Sequence, residues 1–235
     1  MKIGFLGTGH ITSSVIEGIL KSTLKIKKIY ISPRNRLISK KLSKKFKKVS
    51  ICKNNQQLID KSNWVFLAVT PKVGNKILKE LNFSRKQKII SFISTINLKK
   101  LKKYTMNKNI NRVIPLPFIG IKRGPVVICP RDRSVKLFFS KLGKVIEINN
   151  ERISKNFWTT SSFMAPFYHL LEVTSNWLVR KGVKRKAAEE YTRELFLALS
   201  QDSTHKNKLP LKQLVRESQT PGGINAQALK ELKKK

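Results

Sequence analysis

Near the start of the chain, Gly7-Thr8-Gly9-His10-Ile11-Thr12 sets two glycines directly after a short apolar run, residues 2–6, and ahead of a helix-period segment, 11–21. A glycine at the first position permits a tight strand-to-helix turn. A glycine at the second lets backbone approach a pyrophosphate seated on the helix N-terminus. The third position of that fingerprint, where Gly or Ala packs helix against strand, is Thr12. The following apolar run, 28–31, ends in Ser32-Pro33-Arg34-Asn35-Arg36. A carboxylate there would bind a ribose 2′-hydroxyl, whereas a basic residue accommodates a 2′-phosphate. No acid is present, and Ser32, Arg34 and Asn35 can all bond a phosphate, Arg34 in a bidentate manner. This set favours NADPH over NADH as the cofactor.

A second glycine pair occurs far downstream, in Thr220-Pro221-Gly222-Gly223-Ile224-Asn225, just before a helix-period segment at 225–232. Its unhindered backbone N–H groups at a helix start can receive an anion, with Thr220 and Asn225 as additional donors. On residue chemistry alone a plain helix-breaking loop fits equally well. Among titratable groups, His10 sits in the first glycine turn, while His169 and His205 fall in helical stretches and read as structural. Tyr168 reads as pocket or core, and Trp158, Phe163 and Trp177 as core or subunit contacts. No residue is assigned as the general acid. Cys52 and Cys129 lack a CxxC or a histidine at metal spacing. They read as two buried reduced thiols, with no metal site.

These groups need elements to hold them. Apolar, β-branched runs at 2–6, 28–31, 64–69, 89–93, 111–114 and 126–129 alternate with helix-period segments at 11–21, 37–46, 56–61 and 73–81. Strand–helix alternation with short links implies a parallel sheet covered on both faces. Continuous apolar strands such as Trp64-Val65-Phe66-Leu67-Ala68-Val69 fit that burial. From residue 151 on, only helical stretches follow, at 153–181, 184–203, 211–219 and 225–232, with Gly182 as a helix stop. The expected fold class is α/β: a Rossmann-type parallel-sheet domain over 1–150, then an all-α domain over 151–235.

The chain has 235 residues, enough for one large domain or two modest ones. Lys and Arg number 50 against 13 Asp and Glu, a formal net charge of +37. Such a balance raises nucleic acid as a partner. The basic residues are mostly Lys, however, scattered throughout and interleaved with apolar residues, as on the solvated faces of ordinary elements. That argues against nucleic acid. No stretch reaches the ~20 apolar residues of a membrane span, so a cytoplasmic protein with no membrane partner is expected. The helical segment carries long apolar stripes on about 85 residues, too few to bury them alone. A homodimer or higher homo-oligomer through these helices is the remedy.

In order along the chain, several segments resemble the pyrroline-5-carboxylate reductase family, which reduces a cyclic imine to proline with NAD(P)H. The turn Gly7-Thr8-Gly9-His10-Ile11 is similar to its first loop. Leu67-Ala68-Val69-Thr70-Pro71 is similar to its "LAVKP", and Asn55 matches an Asn of the family. Arg112-Val113-Ile114-Pro115-Leu116 resembles "RxMPN". The run from Ser162 to Tyr168 resembles "SGSGPAY", and 220–225 resembles "SPGGxT". The resemblance implies that Gly7, Thr8, Gly9, His10, Ile11, Ser32, Arg34, Asn35, Asn55, Val69, Thr70 and Pro71 contact the cofactor. It also implies that Thr220, Gly222, Gly223 and Asn225 hold the carboxylate of a small imino acid, and that the helices dimerise. The sequence departs from the family at Thr70, Leu116, Phe163, Ala165 and Asn225. Three functions follow: a reductase of the proline-forming type, a reductase of a different imino or oxo acid, and a non-catalytic Rossmann-fold protein with polyanion affinity.

Overall fold

A computed structural model describes residues 1–234. The chain forms two compact units that divide after Ser161. The first is built on one eight-stranded sheet, whose strands are β1 (Lys2–Leu6), β2 (Lys28–Ile31), β3 (Val49–Ile51), β4 (Trp64–Leu67), β5 (Lys88–Ser91), β6 (Ile110–Ile114), β7 (Pro125–Cys129) and β8 (Lys144–Glu147). Their order is β3-β2-β1-β4-β5-β6-β7-β8. The strands β1 to β6 run parallel, joined by α1 (His10–Leu20), α2 (Arg36–Lys45), α3 (Asn55–Asp60), α4 (Pro71–Ile77) and α5 (Leu98–Thr105). Order reverses between β1 and β4, the switch point where such sheets bind ligands at the carboxyl ends of their strands.

The outer strands depart from the parallel expectation. β7 pairs antiparallel with β6, and β8 runs parallel to β7. Between β6 and β7 lies only a 3₁₀ turn, Pro117–Ile121, too short for the crossover that a parallel partner needs. The pair β7–β8 is joined by α6 (Arg133–Phe139). The sequence pattern missed β3, β8, α5 and α6. β3 has three residues and β8 lies at the sheet edge with none fully buried, so neither shows a long apolar run. α5, read as Leu-Lys-Lys-Leu-Lys-Lys-Tyr-Thr, buries only Leu101 and Thr105.

Aromatic side chains fill the sheet's centre. Phe5 stacks on Phe66 at 4.5 Å, and Trp64 packs on Phe138 at 5.2 Å. Offset and edge arrangements of this kind add ~0.5–1.5 kcal/mol per pair beyond the area buried.

The expected helix over 153–181 is interrupted. α7 (Glu151–Thr160) ends in a 3₁₀ turn at Ser161–Phe163, and α8 (Met164–Arg180) begins anew. Pro166 explains the restart: it lacks an N–H and is tolerated only in a first turn. The division of the units falls after Ser161 rather than at residue 150, because α7 is fastened to the sheet by Glu151.

The second unit contains α8, α9 (Arg185–His205), α10 (Leu211–Glu217) and α11 (Ile224–Leu232). Among its described residues only Ser175, Ala188 and Thr192 are buried. Trp177 and Phe163, read as core or subunit contacts, are 52% and 70% exposed, and Tyr168 is exposed too. Trp158 lies in the first unit, half-buried over Arg112. Among the described residues no helix is long and apolar enough to cross a membrane.

Candidate functional site

At the carboxyl end of β1 the chain must turn at once into α1. Gly7 adopts φ +109°, and a Cβ there would collide with the carbonyl of Ala68 beyond β4. Only glycine satisfies both constraints. The buried Thr12 hydroxyl donates to the Gly7 carbonyl at 2.9 Å, so the oversized third position of the fingerprint becomes a clasp across the turn. Gly9 is the N-cap of α1 and makes no side-chain cap bond. A Cβ on Gly9 would meet nothing within 4 Å, leaving the space beside the helix start open. First-turn amides of a helix have no intrahelical acceptor and face that space with the positive end of the dipole.

The turn borders a cleft of about 670 Å³ lined by Gly7, Thr8 and Gly9 from the first turn, Arg34 and Asn35 after β2, and Val69 and Thr70 after β4. These seven residues were expected at the cofactor from sequence. The structure adds Arg36, Leu37, Ala68 and Val73. Arg36 stood in plain view beside Arg34 in the sequence. Val73 needed the position of α4. Arg34 and Arg36 are exposed, and no acid lines the cleft.

Five residues expected at the cofactor do not line the cleft. Ser32 is 2% exposed, and its hydroxyl accepts the Gly7 N–H at 3.0 Å. It braces the turn instead of facing the cleft. Asn35 lines the cleft, yet its side-chain oxygen is committed to capping α2 through Ile38 N–H at 3.2 Å. His10 and Ile11 open α1, Asn55 opens α3 and Pro71 opens α4, all outside the cleft lining. His10 is exposed. His169 meets Glu172 at 3.1 Å on the surface of α8, and His205 ends α9. Cys52 and Cys129 are free and buried, and burial pushes both thiols up. Among the described residues no group of His, Cys, Asp and Glu could hold a metal ion.

In the helical unit, Gly223 is the N-cap of α11 and Gly222 stands at φ +72°. Gly223 N–H donates to the Thr220 carbonyl at 2.9 Å, closing the turn. The Asn225 amide donates to the Ser218 carbonyl at 2.9 Å, so one of its donors is already used in holding the loop. Thr220, Gly222 and Asn225 remain exposed.

A Rossmann sheet with a glycine turn at its switch point, followed by a helical unit, defines a dinucleotide-binding oxidoreductase. Residues 2–97 match the family model described as NADP oxidoreductase coenzyme F420-dependent, and residues 152–235 match that for pyrroline-5-carboxylate reductase dimerisation. The chain is 25% identical over 249 residues to pyrroline-5-carboxylate reductase 3 of Danio rerio, covering 100% of this chain and 84% of that protein. It is 24% identical to the pyrroline-5-carboxylate reductase of Haemophilus influenzae, covering 97% and 87%. A Streptococcus pyogenes 1-pyrroline-5-carboxylate reductase superposes with TM-score 0.84 at 22% identity, covering 100% of this chain and 91% of that one. A Plasmodium falciparum pyrroline carboxylate reductase with NADP bound gives 0.83 at 22%, covering 100% and 90%. The two family models, the relatives and the superposed structures together support membership of the pyrroline-5-carboxylate reductase family.

Proposed function

We propose that the protein is an NADPH-dependent reductase of a cyclic imine, converting 1-pyrroline-5-carboxylate to proline. The observation that carries this reading is the cleft itself. A left-handed glycine turn opens onto a helix start, with Arg34 and Arg36 and no acid where a 2′-phosphate would sit. The full-length similarity to pyrroline-5-carboxylate reductases supplies the substrate class.

The residues present fit the cofactor. Gly7, Thr8 and Gly9 would receive the pyrophosphate, Arg34 and Arg36 the 2′-phosphate, and Val69 and Thr70 the side nearest β4. Bound NADPH supplies a hydride for the C=N carbon. The protein's own contribution is chiefly orientation. Thr220, Gly222, Gly223 and Asn225 form the carboxylate turn at the start of α11: the Thr220 hydroxyl, the Gly222 N–H and the second Asn225 amide hydrogen supply the donors, while the Gly223 N–H closes the turn. No carboxylate, histidine or cysteine lines the cofactor cleft, and an imine that binds already protonated needs no acid from the protein. The helical unit, with small buried residues and exposed Phe167, Val173 and Trp177, forms a homodimer. Two buried free cysteines fit a reducing compartment, and we place the protein in the cytoplasm.

A second reading, reduction of a different imino or oxo acid, is favoured by Leu116 and by Ile224, which is 83% exposed beside the carboxylate turn. One experiment separates the readings. Purified protein is titrated with NADPH and NADH, alongside Arg34→Ala, and 1-pyrroline-5-carboxylate is then added while nicotinamide absorbance is followed. The proposal expects NADPH oxidation on addition, and an Arg34→Ala loss of at least tenfold for NADPH with little change for NADH. Binding without oxidation selects the second reading. Equal losses for both cofactors would sink the 2′-phosphate assignment.

A further inference from the structure

Arg112 lies in the middle of β6 and is only 2% exposed, an unusual place for a guanidinium. Its bonds explain it. Nη1 donates to Glu151 Oε1 at 2.7 Å, at the first residue of α7. Nη2 donates to the carbonyls of Ile93, at 3.2 Å, and Ser94, in the loop after β5. The same Glu151 oxygen accepts the Leu98 N–H at 2.8 Å, at the first residue of α5. One ion pair thus grips the β5–α5 loop at both ends.

That loop packs against α4. Ile93 and Ile96 are 1% exposed and press on Gly74 in α4, where an added Cβ would lie 3.0 and 3.1 Å from their Cδ1 atoms and 3.5 Å from Val69. Val69 and Thr70, just before α4, and Val73 in its first turn line one side of the cleft. Glycine at residue 74 lets α4 settle onto the loop, and the loop is held where the ion pair puts it.

We propose that Arg112 and Glu151 are positioning residues for the cofactor, acting through Ile93, Ile96 and Gly74 on the α4 wall of the cleft. The inference rests on the reading of that cleft as the NADPH site. Packed interiors shift between discrete arrangements, so a lost grip on the loop displaces the wall instead of being absorbed.

The test is a double-mutant cycle read as NADPH dissociation constants, with hydrogen exchange of residues 74–78. Glu151→Ala removes both acceptor contacts and is expected to weaken NADPH about threefold to thirtyfold, the usual span for coupling through packed contacts. Glu151→Gln keeps the acceptor oxygen and is expected to recover most of that loss. Gly74→Ala perturbs the far end and is expected to weaken binding similarly. The Glu151→Ala/Gly74→Ala pair is expected to lose less than the product of the single losses. Lys88→Met, which breaks the separate Lys88–Asp132 pair, lowers the melting temperature without changing NADPH affinity or exchange in α4. Wild-type affinity in folded Glu151→Ala, or strictly multiplicative losses, would overturn the proposal. Should Glu151→Ala not fold, wild-type affinity in Gly74→Ala overturns it alone. Wild-type protein that binds no NADPH defeats the cleft assignment and this proposal with it, an outcome distinct from unaltered binding in the variants.

Discussion

Gly7 and Gly9 carry the same letter in the fingerprint but answer to different demands. At Gly7 the protein itself requires glycine, through φ +109° and the nearby Ala68 carbonyl. At Gly9 nothing in the protein does, since a Cβ would stand in open space. Gly7→Ala should therefore lower stability by at least ~1–2 kcal/mol, the scale of forcing a side chain into left-handed backbone. Gly9→Val should melt close to wild type while losing NADPH binding, because its bulk fills the space the pyrophosphate needs. Thermal melting beside NADPH titration separates the two. A Gly9→Val protein that binds normally would mean that the turn holds no dinucleotide. The sequence motif shows both glycines, but which one the fold requires emerges only from the carbonyl that β4 brings alongside.

At the scale of elements, caps are made locally and braces are not. Asn35, Asn54, Asn97, Asp132 and Asn150 each accept a first-turn N–H of the helix they precede. Asp132 does more: its carboxylate meets Lys88 of β5 at 2.5 Å, a partner 44 residues away. Burial pushes this carboxyl up, but bonds from Lys88, Ser134 and the Val135 N–H outweigh it and hold the pKa at about 2. A depressed folded-state value means stability present above the unfolded pKa of ~3.9 and lost as pH falls through ~2. Asp132→Asn keeps a capping oxygen but loses the charge. It should therefore melt below wild type at pH 7, and the gap should close between about pH 4 and pH 2. A gap that persists at pH 2 would assign the difference to packing. The short strands β3 and β8 escaped detection for a related reason. Their stability comes from neighbours in the sheet, and three or four residues carry too little pattern of their own.

Over the whole molecule, two facts pull against each other. The helical unit buries only small residues and leaves Phe167, Leu170, Val173, Trp177 and Leu197 at the surface, which calls for a partner copy. Each copy carries +37, which repels one. Salt should decide between them. Raising ionic strength from ~0.01 M to ~0.1 M shortens the screening length from ~30 Å to ~10 Å, so the dimer should tighten. Sedimentation equilibrium across that range checks it, with Leu170→Glu/Trp177→Glu expected to remain monomeric throughout. A dimer that weakens with salt would show that specific ion pairs, not apolar contact, hold the copies together.

Sequence by itself determined the class of fold, the glycine turn, the basic residues after β2, the capping loop of α11 and the change to helices. All of these are local: each depends on residue type and short spacing, which turn chemistry, propensity and periodicity report directly. Only the tertiary structure decided that Ser32 braces the turn, that Arg36 and Val73 join the cleft, that β7 reverses, and that α7 belongs with the sheet. It also revealed the buried Arg112–Glu151 pair, whose members lie 39 positions apart in the chain. Those outcomes hinge on which distant segments meet, and no local pattern encodes a meeting whose energy arises from burial and hydrogen bonds made only once the sheet has formed.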